Sequence, residues 1–358
     1  LAGEAPSAAV GSLGWFDSAG TRHSGRLTTP DPLDLMVTLR ELADDGTRFV
    51  TMEVSSHALD QRRVAGLSFD AAAFTNLTHE HLDYHPDLGS YRAAKLRLAE
   101  QVRPGGMCAV NDDDPAWAGE NFAGRRVVRY GLGASADVRA QKVRHTAEGS
   151  EWHLETPDGS WPVRLPLLGE FNVHNALAAA AVGLELGMDG GQVADRLSTA
   201  PQVPGRMEVL AKSPTLVLRD YMHTPDAYTR VLETLAGLTE GNLYIVFGCG
   251  GDRDRAKRPV MGQIAAHHTT LAVITTDNPR TEDPTDICAD VVSGMPAGSY
   301  RVILDREEAI DFTLREAGSG DVVVLAGKGH ETYQDIDGQR IPFDEAAIVR
   351  ARTMGEPA

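Results

Sequence analysis

NLYIVFGCGGDRDRAKRP, residues 242–259, decides the fold: five apolar residues run into a glycine-rich loop and then into basic residues. A short apolar run bounded by turn signals reads as a strand buried on both faces, the kind found in a parallel sheet. The same grammar recurs at Thr215–Asp220, Leu271–Thr275 and Asp321–Leu325, each run leading into a loop rich in Gly, Asp, Asn or His. Four strands alternating with helices predict a Rossmann-like α/β domain. Ligands of such sheets gather at the carboxyl ends of the strands, so the polar residues just beyond each strand are the functional candidates.

Upstream, Phe49–Val54 and Asp70–Thr75 read as strands. The stretch Tyr91–Val102 has helical spacing, with Tyr91, Ala94, Leu98 and Val102 on one side. Met107–Asn111 is a further strand, and Asp137–Leu167 alternates with period two, which predicts a small antiparallel patch beside a parallel sheet. Asn172–Leu186 is an alanine-rich helix between Gly169 and Gly187. A loop with Pro201, Pro204 and Gly205 separates the halves, giving domains at 1–204 and 205–358. The length of 358 residues suits two domains, and 42% hydrophobic residues suffice for two cores.

A net charge of −17 argues against nucleic acid as a partner, which needs a basic footprint. It leaves room for a nucleotide, which needs a few local cations and backbone amides. Cys108, Cys249 and Cys288 make neither a disulfide framework nor a CxxC pair, pointing to a reducing cytoplasm. No apolar run reaches the ~20 residues of a membrane span, and the first residues carry no signal-peptide pattern.

The strand ends supply the chemistry. Glu53-Val54-Ser55-Ser56-His57 follows one strand, and the run His79, Glu80, His81, Asp83 and His85 follows the next. Its spacing matches no common zinc pattern, so a structural zinc is the weaker reading beside magnesium on a carboxylate, an imidazole and phosphates. Exposed histidines in a polar loop are the bland alternative. Lys95 stands among Ala93, Ala94 and Leu96; it is a surface lysine or a partly buried amine able to form a carbamate. Thr224-Pro225 after Asp220 and His223 opens a helix whose amides suit an anion. Arg253, Arg255, Lys257 and Arg258 add charge after the glycines. Asp277, Asn278 and Arg280 together can grip an ammonium and a carboxylate, and Gly327 to Glu331 follows the last strand.

These residues resemble the Mur ligases of peptidoglycan synthesis, and among them the members that add meso-diaminopimelate to a UDP-muramyl dipeptide. The matching stretches are LTTPDPLDL (27–35), MEVSSHALDQRRV (52–64), FTNLTHEHLDYH (74–85), YRAAK (91–95), GEFNVHNALAA (169–179), GRME (205–208), DYMHTPDA (220–227), FGCGGDRDRAKRP (247–259), DNPR (277–280), GKGHETYQ (327–334) and PFDE (342–345). They run in the family's order through nearly the whole chain. The resemblance implies ATP as co-substrate, an acyl phosphate on the glutamyl carboxylate, and attack on it by the amine of diaminopimelate. It also implies that Glu53, His81 and a carbamylated Lys95 hold magnesium and form the catalytic centre. Thr28, Thr29, Ser55, Gln61 and Arg63 would contact the muramyl peptide. Asn175, Arg206, Asp220 and His223 would surround the nucleotide, and Arg253, Asp277, Asn278, Arg280, Gly327 and Glu331 the diaminopimelate.

The family's glycine-lysine-threonine phosphate loop does not occur in the 358 residues, nor does the domain that cradles uridine, and Met222 stands where alanine is usual. The resemblance therefore covers part of the central domain and the whole C-terminal domain. With Leu1 as first residue, the expectation is a ligase whose N-terminal third lies outside this sequence, or a chain whose phosphate loop comes from a second chain. The alternatives are a short paralogue that binds a muramyl peptide or amino acid without ATP turnover, and a non-catalytic partner of cell-wall or natural-product enzymes.

Overall fold

The computed structural model describes residues 5–78, 81 and 84–353. Residues up to Arg144, with Ser150–Leu165 and Phe171–Ala200, make one unit; His145–Gly149, Pro166–Glu170 and the chain from Pro201 make the other.

Up to Ala200 the elements are β1 (Ser7–Gly11), β2 (Gly14–Phe16), β3 (Arg22–His23), α1 (Pro32–Asp44), β4 (Phe49–Met52), α2 (Ser56–Asp60), β5 (Phe69–Phe74), α3 (Leu88–Glu100), β6 (Val102–Asn111), β7 (Arg126–Gly131), β8 (Val138–Thr146), β9 (Gly149–Thr156), β10 (Gly159–Leu165), α4 (Glu170–Glu185) and α5 (Gly190–Ser198). One sheet has the order β3-β2-β1-β4, with β1 parallel to β4. A second runs β10-β9-β8-β7-β6-β5, parallel from β5 to the start of β8 and antiparallel between β9 and β10. The antiparallel patch is thus an extension of the parallel sheet, not a separate piece. The strands read at Phe49–Val54 and Asp70–Thr75 form β4 and β5, which lie in different sheets. Val102, assigned by spacing to a helix face, instead opens β6. The helix stops at Glu100 because Pro104 and Gly105 follow, and Gly105 takes φ +82°. Phe74 at the end of β5 packs edge to face on Trp117 and Phe122, with centroids 5.5 and 4.9 Å away.

From Pro201 follow β11 (Glu208–Ala211), β12 (Leu216–Asp220), α6 (Pro225–Leu238), β13 (Leu243–Phe247), α7 (Lys257–His268), β14 (Leu271–Ile274), α8 (Pro284–Val292), β15 (Tyr300–Val302), α9 (Arg306–Glu316), β16 (Val322–Ala326), β17 (Tyr333–Ile336), β18 (Gln339–Pro342) and α10 (Glu345–Thr353). The main sheet has the order β11-β12-β16-β13-β14-β15. It is parallel apart from β11, which pairs antiparallel with β12. Two strands were not legible: β11 and β15 are short edge strands with no buried residue. The central strands β13 and β16 are buried at every position, as their continuous apolar runs require. Helix starts are set by side-chain caps: Thr224, Asp283 and Asp305 accept from N–H groups in the first turn of α6, α8 and α9. Strand β16 inserts between β12 and β13, so the loop after it lies between the loops that follow those two strands.

Arg258 on α7 is wholly buried. Its guanidinium donates to Glu282 and Asp290 at 2.9–3.0 Å and to the Gly250 carbonyl at 3.2 Å, tying the glycine-rich loop to α8. It was expected to face an anionic ligand; burial and two carboxylates fix it as a structural cation instead. Arg255 is likewise paired with Glu282, at 2.7 Å.

Leu325, buried in the central strand, should cost about 2–5 kcal/mol when replaced by Ala, while Ile341→Ala on exposed β18 should stay within about 0.5 kcal/mol. Denaturant unfolding reads both. Hydrogen bonds from Arg258 and then from the Asp252 N–H hold the Glu282 carboxyl down at about 2, against an ordinary 4.5. A depressed carboxyl stabilises the fold fully above its unfolded value and loses that contribution as pH falls through the folded one. Melting temperatures measured from pH 6 to pH 2 should therefore fall less steeply below pH 4.5 in Glu282→Gln than in the parent. Parallel curves would remove this pair from the acid response.

Candidate active site

The carboxyl ends of β14 and β16 build an enclosed polar cluster in the second unit. Gly327 at φ +104° and Gly329 at φ +53° turn the chain sharply on either side of Lys328. A Cβ at Gly327 would lie 2.5 Å from the Asp277 carboxylate, so the glycine lets that side chain close in. Lys328 is wholly buried; its Nζ donates to Tyr333 O at 2.7 Å, Asn278 Oδ1 at 3.1 Å and Asp277 Oδ1 at 3.2 Å. Asn278 Nδ2 donates to Glu331 Oε2 at 2.8 Å, and Gln334 Nε2 donates to the carbonyls of Thr276 and Asp277. Burial pushes the Glu331 carboxyl above its ordinary value, against the pull of the Asn278 hydrogen bond.

Arg280 flanks this cluster. Its backbone, at φ +50°, exchanges hydrogen bonds with Asp335 and Asp337 at 3.0 and 2.9 Å. Its Nη1 donates to the Gly251 carbonyl and its Nε lies 3.9 Å from Asp335. Asp283, a conceivable surface partner for Arg280, caps α8 instead. Arg253 is exposed beyond the glycine-rich loop. Cys249 in that loop is buried and its thiol pushed up to about 12, which excludes it as a nucleophile. Thus Asp277, Asn278, Gly327 and Glu331 come together, with Arg280 alongside.

A second cluster forms around Tyr221 after β12. Arg206 lies over its ring at 4.9 Å, and His223 and His330 pack against it at 4.8 and 5.7 Å. Asp220 is buried, which raises its carboxyl, and accepts from the Met207 and Met222 N–H groups at 2.7 Å each. Its carboxylate therefore braces the turns that carry Arg206 and His223. Lys257 Nζ donates to the His223 carbonyl at 2.9 Å.

In the first unit, Thr28, Thr29, Ser55, Gln61 and Arg63 belong to one network. Thr29, wholly buried, donates to the Glu53 carbonyl at 2.9 Å and accepts from Ser55 N–H at 3.1 Å. That hydroxyl is spent on structure, as is the Ser55 hydroxyl that caps α2. Arg63 holds the Gln61 amide oxygen at 2.6 and 2.9 Å and the Thr29 carbonyl at 3.0 Å. Glu53 accepts from the Ser12 hydroxyl at 2.7 Å, and Ser12 lies 3.1 Å from the Thr28 hydroxyl. His81, at φ +60°, packs edge-on against Tyr91 at 5.6 Å, and Lys95 Nζ lies 5.3 Å from the same ring. His57 meets His81 and His85 at 5.0 and 5.7 Å, and His85 Nε2 bonds Ser56 at 3.0 Å. Among the described residues no three His, Cys, Asp or Glu gather as a metal site. His79, Glu80 and Asp83 lie outside the described residues. Asn175, on α4, donates to Asn172 at 3.3 Å.

Sequence reasoning missed Lys328 and Tyr221. A lysine between two glycines at a strand end was the available signal for the first; the second carried none beyond its neighbours. A cleft of about 630 Å³ near Trp161, Arg126 and Gly190 contains none of the expected site residues.

Comparison with known proteins fits this geometry. The family described as Mur ligase middle domain matches residues 5–183, and Mur ligase, glutamate ligase domain matches 205–329. A UDP-N-acetylmuramoyl-L-alanyl-D-glutamate–2,6-diaminopimelate ligase of Geobacillus thermodenitrificans is 42% identical over 354 residues, covering 95% of this chain and 72% of the relative. The ligase of the same name from Gloeobacter violaceus is 44% identical over 353 residues, covering 98% and 72%. A solved structure of a ligase of that name superposes with a TM-score of 0.69 at 38% identity, over 98% of this chain and 72% of the other. The chain belongs to the Mur ligase family.

Proposed function

We propose that this chain is a UDP-N-acetylmuramoyl-L-alanyl-D-glutamate–2,6-diaminopimelate ligase, an ATP-dependent enzyme of peptidoglycan synthesis acting in the cytoplasm. The observation that carries the reading is the convergence of Asp277, Asn278, Gly327 and Glu331 beside Arg280 in a family member whose relatives bear that name. Among the described residues no helix is long and apolar enough to cross a membrane, and the three cysteines are free. The non-catalytic reading is not favoured, because the matched relatives are ligases along nearly the whole chain.

In the reaction, ATP phosphorylates the D-glutamyl carboxylate of the muramyl dipeptide, giving ADP and an acyl phosphate. The amine of meso-diaminopimelate attacks the carbonyl carbon. The C–N bond forms as the C–O bond to phosphate breaks, phosphate leaves with the electron pair, and the amine's protons pass to solvent. Residues 1–204 act as the part of the central domain that holds dipeptide and metal, and 205–358 as the domain that presents the amino acid. Arg63, Gln61 and Thr28 orient the muramyl peptide, with Thr29 and Ser55 fixing the loop beneath. Arg206, Asp220 and His223 are the second unit's contacts to the nucleotide, and Asn175 is the first unit's. Arg253 and Arg280 take carboxylate, Glu331 and Asp277 take ammonium, and Gly327 keeps the wall close.

Glu53 and His81 would hold magnesium, with Lys95 as a third donor once carbon dioxide has converted its neutral amine to a carbamate, releasing a proton. A hard cation asks for few protein ligands when phosphates supply the rest. Bound there, it would neutralise phosphate charge during transfer. The 358 residues contain no G-K-T or G-K-S, so the β- and γ-phosphate cradle is not among them. A second chain is one source of such a cradle.

Arg280→Ala removes a charged hydrogen bond to the distal carboxylate, a loss of about 1.5–3 kcal/mol, or about 10- to 150-fold in affinity for meso-diaminopimelate. Calorimetric titration should show it, with wild type preferring diaminopimelate to lysine and Arg280→Ala abolishing the preference. Equal wild-type affinity for the two amino acids would defeat the assignment. Carbon-13 NMR of protein equilibrated with labelled bicarbonate should show a carbamate signal that Lys95→Ala lacks; a wild-type spectrum without it removes the carbamate.

A further inference from the structure

Lys328 belongs to none of the roles above. It sits between Gly327 and Gly329 on the loop after β16, wholly buried, yet two of its three bonds go to the loop after β14 and the third to the first residue of β17. Both carboxylates of the cluster lie beside it, Asp277 at 3.2 Å and Glu331 at 3.8 Å. We propose that Lys328 is a positioning residue of the amino-acid site. Its buried ammonium clamps the loop after β14 to the loop after β16 and sets the charge that lets Asp277 and Glu331 stand together as carboxylates. The proposal rests on reading this cleft as the amino-acid site.

The geometry requires such a cation. Gly327 brings Asp277 close, and Asn278 holds Glu331, so the two carboxylates share one enclosed space. Like charges in a desolvated site force one group to stay protonated unless a cation intervenes. A protonated Glu331 no longer attracts the substrate's ammonium. The Asn278 amide has a second consequence: its oxygen accepts from Lys328 and from Asp335 N–H, which turns its Nδ2 toward Glu331. Removing the ammonium thus loosens both the orientation of Asn278 and the ionisation of Glu331. Glu331 is faced by Asp277 and Arg280 from the loop after β14, Tyr221 from the loop after β12, and Tyr333 from β17. Lys328 lies 3.8 Å from Glu331, and Arg280 is already engaged by Gly251 and Asp335.

Two measurements on the 358-residue chain test this with Lys328→Met, which keeps most of the side-chain volume. Amide hydrogen exchange needs no ligand: residues 276–281 and 327–335 should exchange about tenfold faster in the variant, while β12 and β13 keep their protection. Calorimetric titration with meso-diaminopimelate across pH 5–9 reads the charge. Affinity at the alkaline end should fall about 10- to 150-fold, and its loss on acidification should set in about one pH unit or more higher than in wild type. Adding Asp277→Asn to Lys328→Met removes the competing carboxylate and should move that acidic limb back down. A packing defect predicts no such return, so identical limbs in the single and double variants would overturn the charge role. If Lys328→Met does not fold, Asp277→Asn is compared with the double variant; the limb rises between them if Lys328 sets the charge and stays put if it does not. Faster exchange in a wild-type background that binds no diaminopimelate would keep the clamp and sink the amino-acid reading. Unchanged exchange with normal wild-type binding would do the reverse.

Discussion

Lys328 places an amine where its side chain has no exposure to water, and the strand-end loops of the second unit are arranged around meeting that demand. An ammonium taken out of water costs several kcal/mol unless its protons are bonded and its charge is balanced. Three acceptors do the first and Asp277 the second. The acceptors come from the loop after β14 and from β17, so satisfying one lysine fixes three segments at once. The glycines on either side follow from the same demand, since a Cβ at Gly327 would collide with Asp277 and one at Gly329 with Tyr221. From below, the wholly buried Arg306 donates to Ala326 O at 2.8 Å and pairs with the wholly buried Glu345 of PFDE at 2.8 Å. That pair anchors the end of β16 where the lysine loop begins.

Strand order brings the loops within reach of one another. Had β16 paired at an edge, its loop would stand apart from Asp220 on one side and from the glycine-rich loop on the other. Its place between β12 and β13 puts Gly327–Glu331 beside both and within one strand of Asp277. Arg258 then keeps the glycine-rich loop in place by a different route, its buried guanidinium bonded to Glu282, Asp290 and the Gly250 carbonyl. Cations thus do two kinds of work here. Arg258, Arg306 and Lys328 hold loops, whereas Arg280, partly exposed, is the cation proposed to meet a ligand.

Much of this was legible in the residues. The apolar runs at 216, 243, 271 and 322 declared a parallel sheet, because strands covered on both faces leave no polar alternation. The polar strand ends mark Asp220, Asp277, Arg280 and Glu331 as candidates from the residues alone. The short strands β1–β3, β11 and β15 were not readable; their stability comes from neighbours that a linear pattern does not reveal. The same limit applies to charge. Arg258 and Arg253 look alike in GCGGDRDRAKRP, and only packing buries one and exposes the other. Thr29 reads as a ligand contact until the structure shows its hydroxyl joining Glu53 to Ser55. Lys328 escaped for a related reason: a lysine flanked by glycines suggests exposure, and its burial depends on segments about fifty residues away in sequence.

The cluster around Lys328 is proposed to take a zwitterionic amino acid with a second carboxylate. A crystal structure of the chain with meso-diaminopimelate is the decisive measurement. One carboxylate should lie against the Arg280 guanidinium and the adjacent ammonium against Glu331, with Lys328 still bonded to Asp277 and Asn278. Diaminopimelate ordered elsewhere on the protein, or lying in this cleft with its ammonium on the Arg280 side, would contradict it.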